Sequence, residues 1–186
     1  RGNASEYSFF SYFGRINYDY QGKYLLKASI RKDGSSRFGK ANRYGVFPAF
    51  SAGWVISKEE FLSSSNVIYL LKLRASWGKT GNAEIGDFTS RDLWNATSYK
   101  QLPAIEPTQP ANANLTWEKS TQADLGIDFG FFNNRISGEI DYYNKKTDGL
   151  LFYQNIPYTS GYSNIYRNTG NLDNHGIEIV LNTQNI

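Results

Sequence analysis

The chain has 186 residues, room for one sizeable domain, and none of its apolar runs approaches the 18 or more residues of a membrane helix. It has no cysteine and one histidine, His175, which excludes disulfides, thiolate metal sites and cysteine nucleophiles and leaves little for histidine chemistry. The net charge is +3 without a Lys/Arg run, so no nucleic-acid partner is indicated, while aromatic residues reach 16%.

The first element is an alternating run, Tyr7–Tyr20. Ser8, Phe10, Tyr12, Gly14, Ile16, Tyr18 and Tyr20 share one face of a strand; Phe9, Ser11, Phe13, Arg15, Asn17 and Asp19 share the other. Gln21-Gly22-Lys23 reads as a tight turn. Tyr24–Lys32 follows as a strand, with Tyr24, Leu26, Ala28 and Ile30 opposite Leu25, Lys27, Ser29 and Arg31. A polar loop, Asp33–Tyr44, leads to a third strand, Gly45–Ser57, with Val46, Phe50, Ala52, Trp54 and Ile56 on one face. Lys58–Asn66 links onward with room for one helical turn. Tyr69–Lys79 sets Leu71, Leu73, Ala75 and Trp77 against Lys72, Arg74 and Ser76.

Thr80–Ala113 reads as a long, irregular, proline-containing loop, of a length that is usually functional or disordered. The fifth strand, Leu115–Phe129, alternates Thr121, Ala123, Leu125, Ile127 and Phe129 with Ser120, Gln122, Asp124, Gly126 and Asp128. Asn133-Asn134 is a short turn, Arg135–Lys145 a sixth strand, and Thr147–Asn168 a second long loop. The last strand places Ile177, Ile179 and Leu181 opposite Glu178 and Asn182.

The pattern predicts an all-β antiparallel meander of about seven strands, an incomplete segment of a large transmembrane β-barrel. Connections alternate short and long, as when all tight turns lie on one side of a membrane and all long loops on the other. The mean hydropathy of −0.54 does not argue against this, because alternation hides a lipid-facing side. Lys119 is the one charge in the outward register. At the bilayer midplane it would cost about 2–4 kcal/mol, so it is expected at or beyond the interface. Trp54, Trp77, Trp117, Tyr18 and Tyr20 are expected to form an aromatic girdle near strand ends.

Other motifs fall short. Gly34–Ala41 approaches a phosphate-binding loop but carries Ala41 where a magnesium-binding hydroxyl is needed. Asp128-Phe129-Gly130 has none of the companion motifs of a kinase. Glu139 and Asp141 could suggest a glycosidase pair, but they alternate with apolar residues along a strand and read as part of a wet face. No catalytic, cofactor or metal residues are indicated, and the chain is not expected to be an enzyme. The loop aromatics Trp94, Tyr99, Tyr158, Tyr162 and Tyr166 are the candidates for stacking on a ligand or meeting a partner protein. A soluble β-sandwich that binds carbohydrate is the alternative. It accounts for the alternation and the loop aromatics but not for the loop asymmetry.

The runs YFGRINYDYQGKYLLKASIRKDGSSRFGKANRYGVFPAFSAGWVIS, LLKLRASWGKTGNAEIGDF, NLTWEKSTQADLGIDFGFFNNRISGEIDYYNKKTDGLL and TSGYSNIYRNTGNLDNHGIEIVLN resemble, in that order, the barrel of SusC/RagA-type TonB-dependent outer-membrane transporters. The resemblance implies a Bacteroidetes-type Gram-negative source and uptake of oligosaccharides or peptides. It also implies a SusD-like lipoprotein lid, contact with outer-membrane lipid, and TonB acting through an N-terminal region. Residues 1–186 would be part of the barrel domain, without the plug domain and the C-terminal closing strands. The absence of Met and the opening Arg1-Gly2-Asn3 suit an internal piece. Asp33–Tyr44, Thr80–Ala113 and Thr147–Asn168 would be extracellular, and Gln21–Lys23, Lys58–Asn66 and Asn133-Asn134 periplasmic.

Overall fold

A computed structural model describes residues 5–184. Seven long strands, β1 (Phe9–Tyr20), β2 (Tyr24–Ser35), β3 (Tyr44–Val55), β4 (Ile68–Asn82), β7 (Glu118–Phe131), β8 (Ile136–Asp148) and β11 (Asn171–Thr183), form one antiparallel sheet in the order β1-β2-β3-β4-β7-β8-β11. Each strand pairs with its neighbours in sequence, apart from two excursions, residues 93–109 and 151–168. Among the described residues no second sheet packs face to face on this one, so the β-sandwich alternative does not apply.

The tight turns form where the sequence permits left-handed backbone. Gln21 and Gly22 have φ of 56° and 61°, and Asp19 Oδ1 accepts a hydrogen bond from the Gly22 N–H at 2.7 Å. Phe132, Asn133 and Asn134 share this conformation at the β7–β8 turn. Asparagine tolerates it; Phe132 does not favour it, but its N–H donates to the Val67 carbonyl at 2.8 Å. The β3–β4 connection opens with a 3-10 turn, Ile56–Lys58. Residues 56–67 form a longer connection than residues 36–43, so the expected alternation of short and long links is not strict.

The two long loops are not irregular. Thr80–Ala113 contains a hairpin, β5 (Leu93–Tyr99) with β6 (Leu102–Gln109), and Thr147–Asn168 contains another, β9 (Leu151–Asn155) with β10 (Asn164–Asn168). Lys100 and Gln101 turn the first at φ of 50° and 64°, a conformation normally signalled by Asn or Gly. Pro103 and Pro107 lie in β6 opposite Ser98 and Trp94. Counting from the Tyr99–Leu102 pair beside the turn, hydrogen-bonded and non-hydrogen-bonded pairs alternate, and both prolines occupy non-hydrogen-bonded pairs. Their missing N–H groups therefore cost the hairpin no ladder bond. The second hairpin is closed at its neck by bonds from Gly149 N–H to the Gly170 carbonyl (3.2 Å) and from Thr169 N–H to the Leu150 carbonyl (2.9 Å).

The buried apolar cluster is small and sits at one end of the sheet, beneath these loops. Phe38, Phe47, Ile85, Leu115 and Trp117 form it, with Ala83, Leu151 and Tyr166 packed around. The Trp117 ring lies 5.3 Å from Phe38 and 5.4 Å from Phe47, and its indole N–H donates to the Arg43 carbonyl at 3.2 Å. Trp117 is thus not part of an outward girdle. β7 begins at Glu118, not at Leu115, because Leu115 and Trp117 serve this cluster instead of the strand ladder.

Candidate functional site

The register separates two faces. On the outward face the cross-strand row Tyr20, Tyr24, Trp54, Leu73, Ile127, Ile140, Ile179 is apolar from β1 to β11, as is the row Tyr18, Leu26, Ala52, Ala75, Leu125, Tyr142, Ile177. Many of these side chains are well exposed, Ile177 at 67% and Ile179 at 68% among them, so the apolar face extends far beyond an ordinary surface patch. Its upper boundary is oblique. The first polar outward residue is Lys32 on β2, Lys79 on β4, Thr121 on β7, Asn144 on β8 and His175 on β11, each step lying in the same or a lower row. The lower edge descends in the same sense: β1–β3 end at the Tyr20 row, while β4, β7 and β11 add Leu71, Phe129 and Leu181. Lys119 lies beyond the apolar rows, near the loop end of β7, opposite Asp148, and it is not the one charge of the outward register, because Lys32 and Lys79 share that side at the ends of their strands.

The inward face carries charge, and on β4, β7 and β8 a group of these charges pairs with one another. Arg74 Nε lies 2.7 Å from Asp128 Oδ1, and its Nη2 lies 3.2 Å from Glu139 Oε2 and 2.5 Å from Asp141 Oδ2. Lys72 Nζ completes the group at 3.2 Å from Asp128 Oδ2. In register Arg74 faces Gly126, and Gly126 faces Asp141, so Arg74 reaches across an entire strand. A Cβ at Gly126 would stand 2.8 Å from the Arg74 guanidinium carbon and collide with Asp141 Oδ1, so the bridge depends on glycine there. Ser76 donates to Asp124 at 2.8 Å, and Gln122 donates to the same carboxylate at 2.7 Å. Arg74, Ser76, Gln122, Asp124 and Asp141 line a polar cleft of about 460 Å³ that also includes Tyr143, Lys145 and Glu178. Glu139 and Asp141 are engaged by Arg74 and serve as ion-pair partners.

The loop end is a braced rim. Asn168 accepts a hydrogen bond from Thr116 N–H (2.8 Å) and donates to the carbonyls of Thr116 (2.8 Å) and Gly149 (3.0 Å), joining the loop before β7 to the second hairpin. Asn112 adds a bond to the Tyr166 carbonyl at 2.7 Å. Asp87 meets Ser5 and Arg37, and the Ser5 hydroxyl, followed by the Arg37 guanidinium, holds its carboxyl below the ordinary range. Of the five aromatic candidates, Trp94 (55% exposed) and Tyr99 project from opposite faces of the first hairpin. Tyr158, in a 3-10 turn, is 83% exposed. Tyr162 is half-buried, and Tyr166 is half-buried with its ring 4.8 Å from Tyr153. The five do not converge on one pocket among the described residues.

A further cluster lies at the turn end, unannounced by any spacing in the sequence. Glu59 accepts hydrogen bonds from Trp54 Nε1 (3.0 Å), Tyr24 OH (2.7 Å) and Lys23 Nζ (3.1 Å). The indole donor of Trp54, then the Tyr24 hydroxyl and Lys23, lower its carboxyl pKa to about 2.

The model of the family described as "TonB dependent receptor-like, beta-barrel" matches residues 1–184. TonB-dependent receptor P39 of Formosa agariphila is 45% identical over 180 residues, 96% of this chain and 17% of that protein. TonB-dependent receptor SusC of Bacteroides thetaiotaomicron is 42% identical over 192 residues, 98% of this chain and 19% of its own length. The chain therefore spans about a fifth of these curated relatives. Among solved structures, the RagAB peptide transporter superposes with a TM-score of 0.89 at 34% identity, covering 97% of this chain and 20% of that one. The siderophore receptor PirA of Pseudomonas aeruginosa shares the fold alone, at a TM-score of 0.64 and 16% identity over 94% of this chain and 31% of that one.

Proposed function

The chain belongs to the TonB-dependent receptor β-barrel family as a segment of the barrel wall, and from that premise we propose that its protein is an outer-membrane importer of oligosaccharides or peptides in a Gram-negative bacterium. The observation that carries this reading is the sheet itself: one face apolar from edge to edge, the other polar and charged, with a network of ion pairs on β4, β7 and β8. A lipid-facing wall around a hydrated, occupied lumen needs that division. Seven strands with two free edges need further strands to close, about 22 in barrels of this transporter class, so the wall is one part of a larger domain with a plug. The relative that supports peptide as cargo is the RagAB peptide transporter. The resemblance of the sequence to SusC/RagA-type transporters keeps oligosaccharides beside peptides as the second cargo class.

In this reading a SusD-like lipoprotein caps the loop end, TonB acts through an N-terminal region, and outer-membrane lipid covers the apolar face. Trp94, Tyr99, Tyr158, Tyr162 and Tyr166 meet the lid or the cargo. The most exposed, Tyr99 and Tyr158, are the first to test: Tyr99→Ala with Tyr158→Ala in the full-length protein is expected to weaken lid or cargo binding by about 1–3 kcal/mol, read by titration calorimetry. The function itself is tested by deleting the gene in its host and following uptake of labelled peptides and oligosaccharides. Loss of one class, restored by the full-length gene, is the expected result; undiminished uptake of both classes would overturn the proposal.

A further inference from the structure

After β3 the chain enters the Ile56–Lys58 turn and folds on itself, with the Leu62 and Ser63 N–H groups bonded to the Glu59 carbonyl at 3.0 and 2.8 Å. This knot is fixed to the outward side of the wall. Glu59 takes its two neutral hydrogen bonds from Tyr24 and Trp54, both in the outward row that forms the lower boundary of the apolar face. Their rings are stacked 6.4 Å apart, and Tyr20 continues the row at 6.3 Å from Tyr24. Two residues beyond Glu59, Phe61 is 72% exposed. Lys58 is exposed and makes no ion pair among the described residues.

We propose that residues 56–65 form a foot that rests in the headgroup zone of a phospholipid leaflet, with Phe61 entering the acyl boundary and Lys58 meeting lipid phosphate. The inference rests on the membrane-wall reading above. It is carried by the continuity of the segment with the apolar face and by the chemistry around the carboxylate. Tyr and Trp with a polar tip favour the level where hydrocarbon meets water. An ionised carboxylate is tolerated at that level only if satisfied, and Glu59 has two neutral donors and Lys23. An exposed phenyl ring, on the same short segment as a cation with no ion pair among the described residues, then matches a phospholipid surface better than open water.

The test places single nitroxide labels through Phe61→Cys and Ile179→Cys in the full-length protein, cleared of other cysteines and reconstituted in phosphatidylethanolamine–phosphatidylglycerol bilayers. Relative accessibility to oxygen and to a water-soluble nickel chelate reports depth. The label at position 179 is expected to be deep. The label at position 61 is expected to shift from the aqueous value toward it, and Glu59→Gln is expected to move that label back toward water while leaving position 179 unchanged. A label at position 61 as open to the chelate as a hydrated site, or shielded from both agents by protein, overturns the foot alone. An aqueous value at position 179 overturns the wall reading and the foot with it.

Discussion

At Glu59 three donors from β2, β3 and the turn between β1 and β2 favour the ionised carboxylate in the folded protein, and the unfolded chain has no such arrangement. A carboxyl whose folded pKa is depressed contributes stability above its unfolded value, 4.5, and loses that contribution as pH falls toward about 2. Glu59→Gln is therefore expected to lower the heat-dissociation midpoint of the full-length protein at neutral pH and to approach wild type as pH falls from 4.5 toward 2. An equal deficit at both ends of that window would assign Glu59 a role independent of its charge. Gly126 makes a second claim at this scale. Gly126→Val separates Arg74 from Asp141 and leaves a largely buried carboxylate short of its cation, a loss of about 1–2 kcal/mol. Denaturant titration of Gly126→Val, Arg74→Ala and the double variant checks it: the effects should be less than additive if the bridge is the shared cause.

The strands and turns were written into the sequence more plainly than the loops. A period of two with a charge-free side marks each wall strand, since only β geometry puts Leu71, Leu73, Ala75 and Trp77 on one face. The hairpins inside the long loops escaped notice for physical reasons. Lys100-Gln101 adopts a turn that usually advertises itself with Asn-Gly, and Pro103 and Pro107 argue against a strand unless the pairing phase is known. The rim cluster was hidden for another reason. Phe38, Phe47, Ile85 and Trp117 come from four separate segments and share no periodicity. Among the candidate residues, the wet-face charges were visible as charges, but their partners depend on register. Glu59 was not visible at all, because its donors come from two strands and a distant turn. Trp117 holds the rim together: Trp117→Ala removes a buried ring at a cost of about 3–5 kcal/mol. That loss is expected locally, as rapid proteolysis between residues 83 and 92 with the wall strands still protected from hydrogen exchange.

Taken whole, the molecule is a tilted wall. From β2 to β11 the upper apolar boundary falls by two rows, roughly 13 Å at about 3.3 Å per residue, across five strand spacings of about 4.8 Å. That slope of about 30° is of the order of the 35–45° strand tilt in membrane barrels. A level membrane surface crossing slanted strands requires such a drift, whereas the apolar face of an upright sheet would follow the rows. Labels at positions 32, 79 and 175 are thus expected to report one common depth in bilayers, although the register sets them in different rows. Depths that follow the rows would refute the tilt.

The necks of the two hairpins carry a consequence for how such a protein changes over generations. Each hairpin closes its own ladder, and the second is sealed at its base by the Gly149–Gly170 bond before the chain rejoins the wall. Whatever lies beyond the neck is free to lengthen, shorten or be exchanged for a different tip without disturbing a single pairing between β4 and β7 or between β8 and β11. The scaffold can be inherited intact while the hairpin tips diversify, so relatives with one wall can come to present very different loop ends.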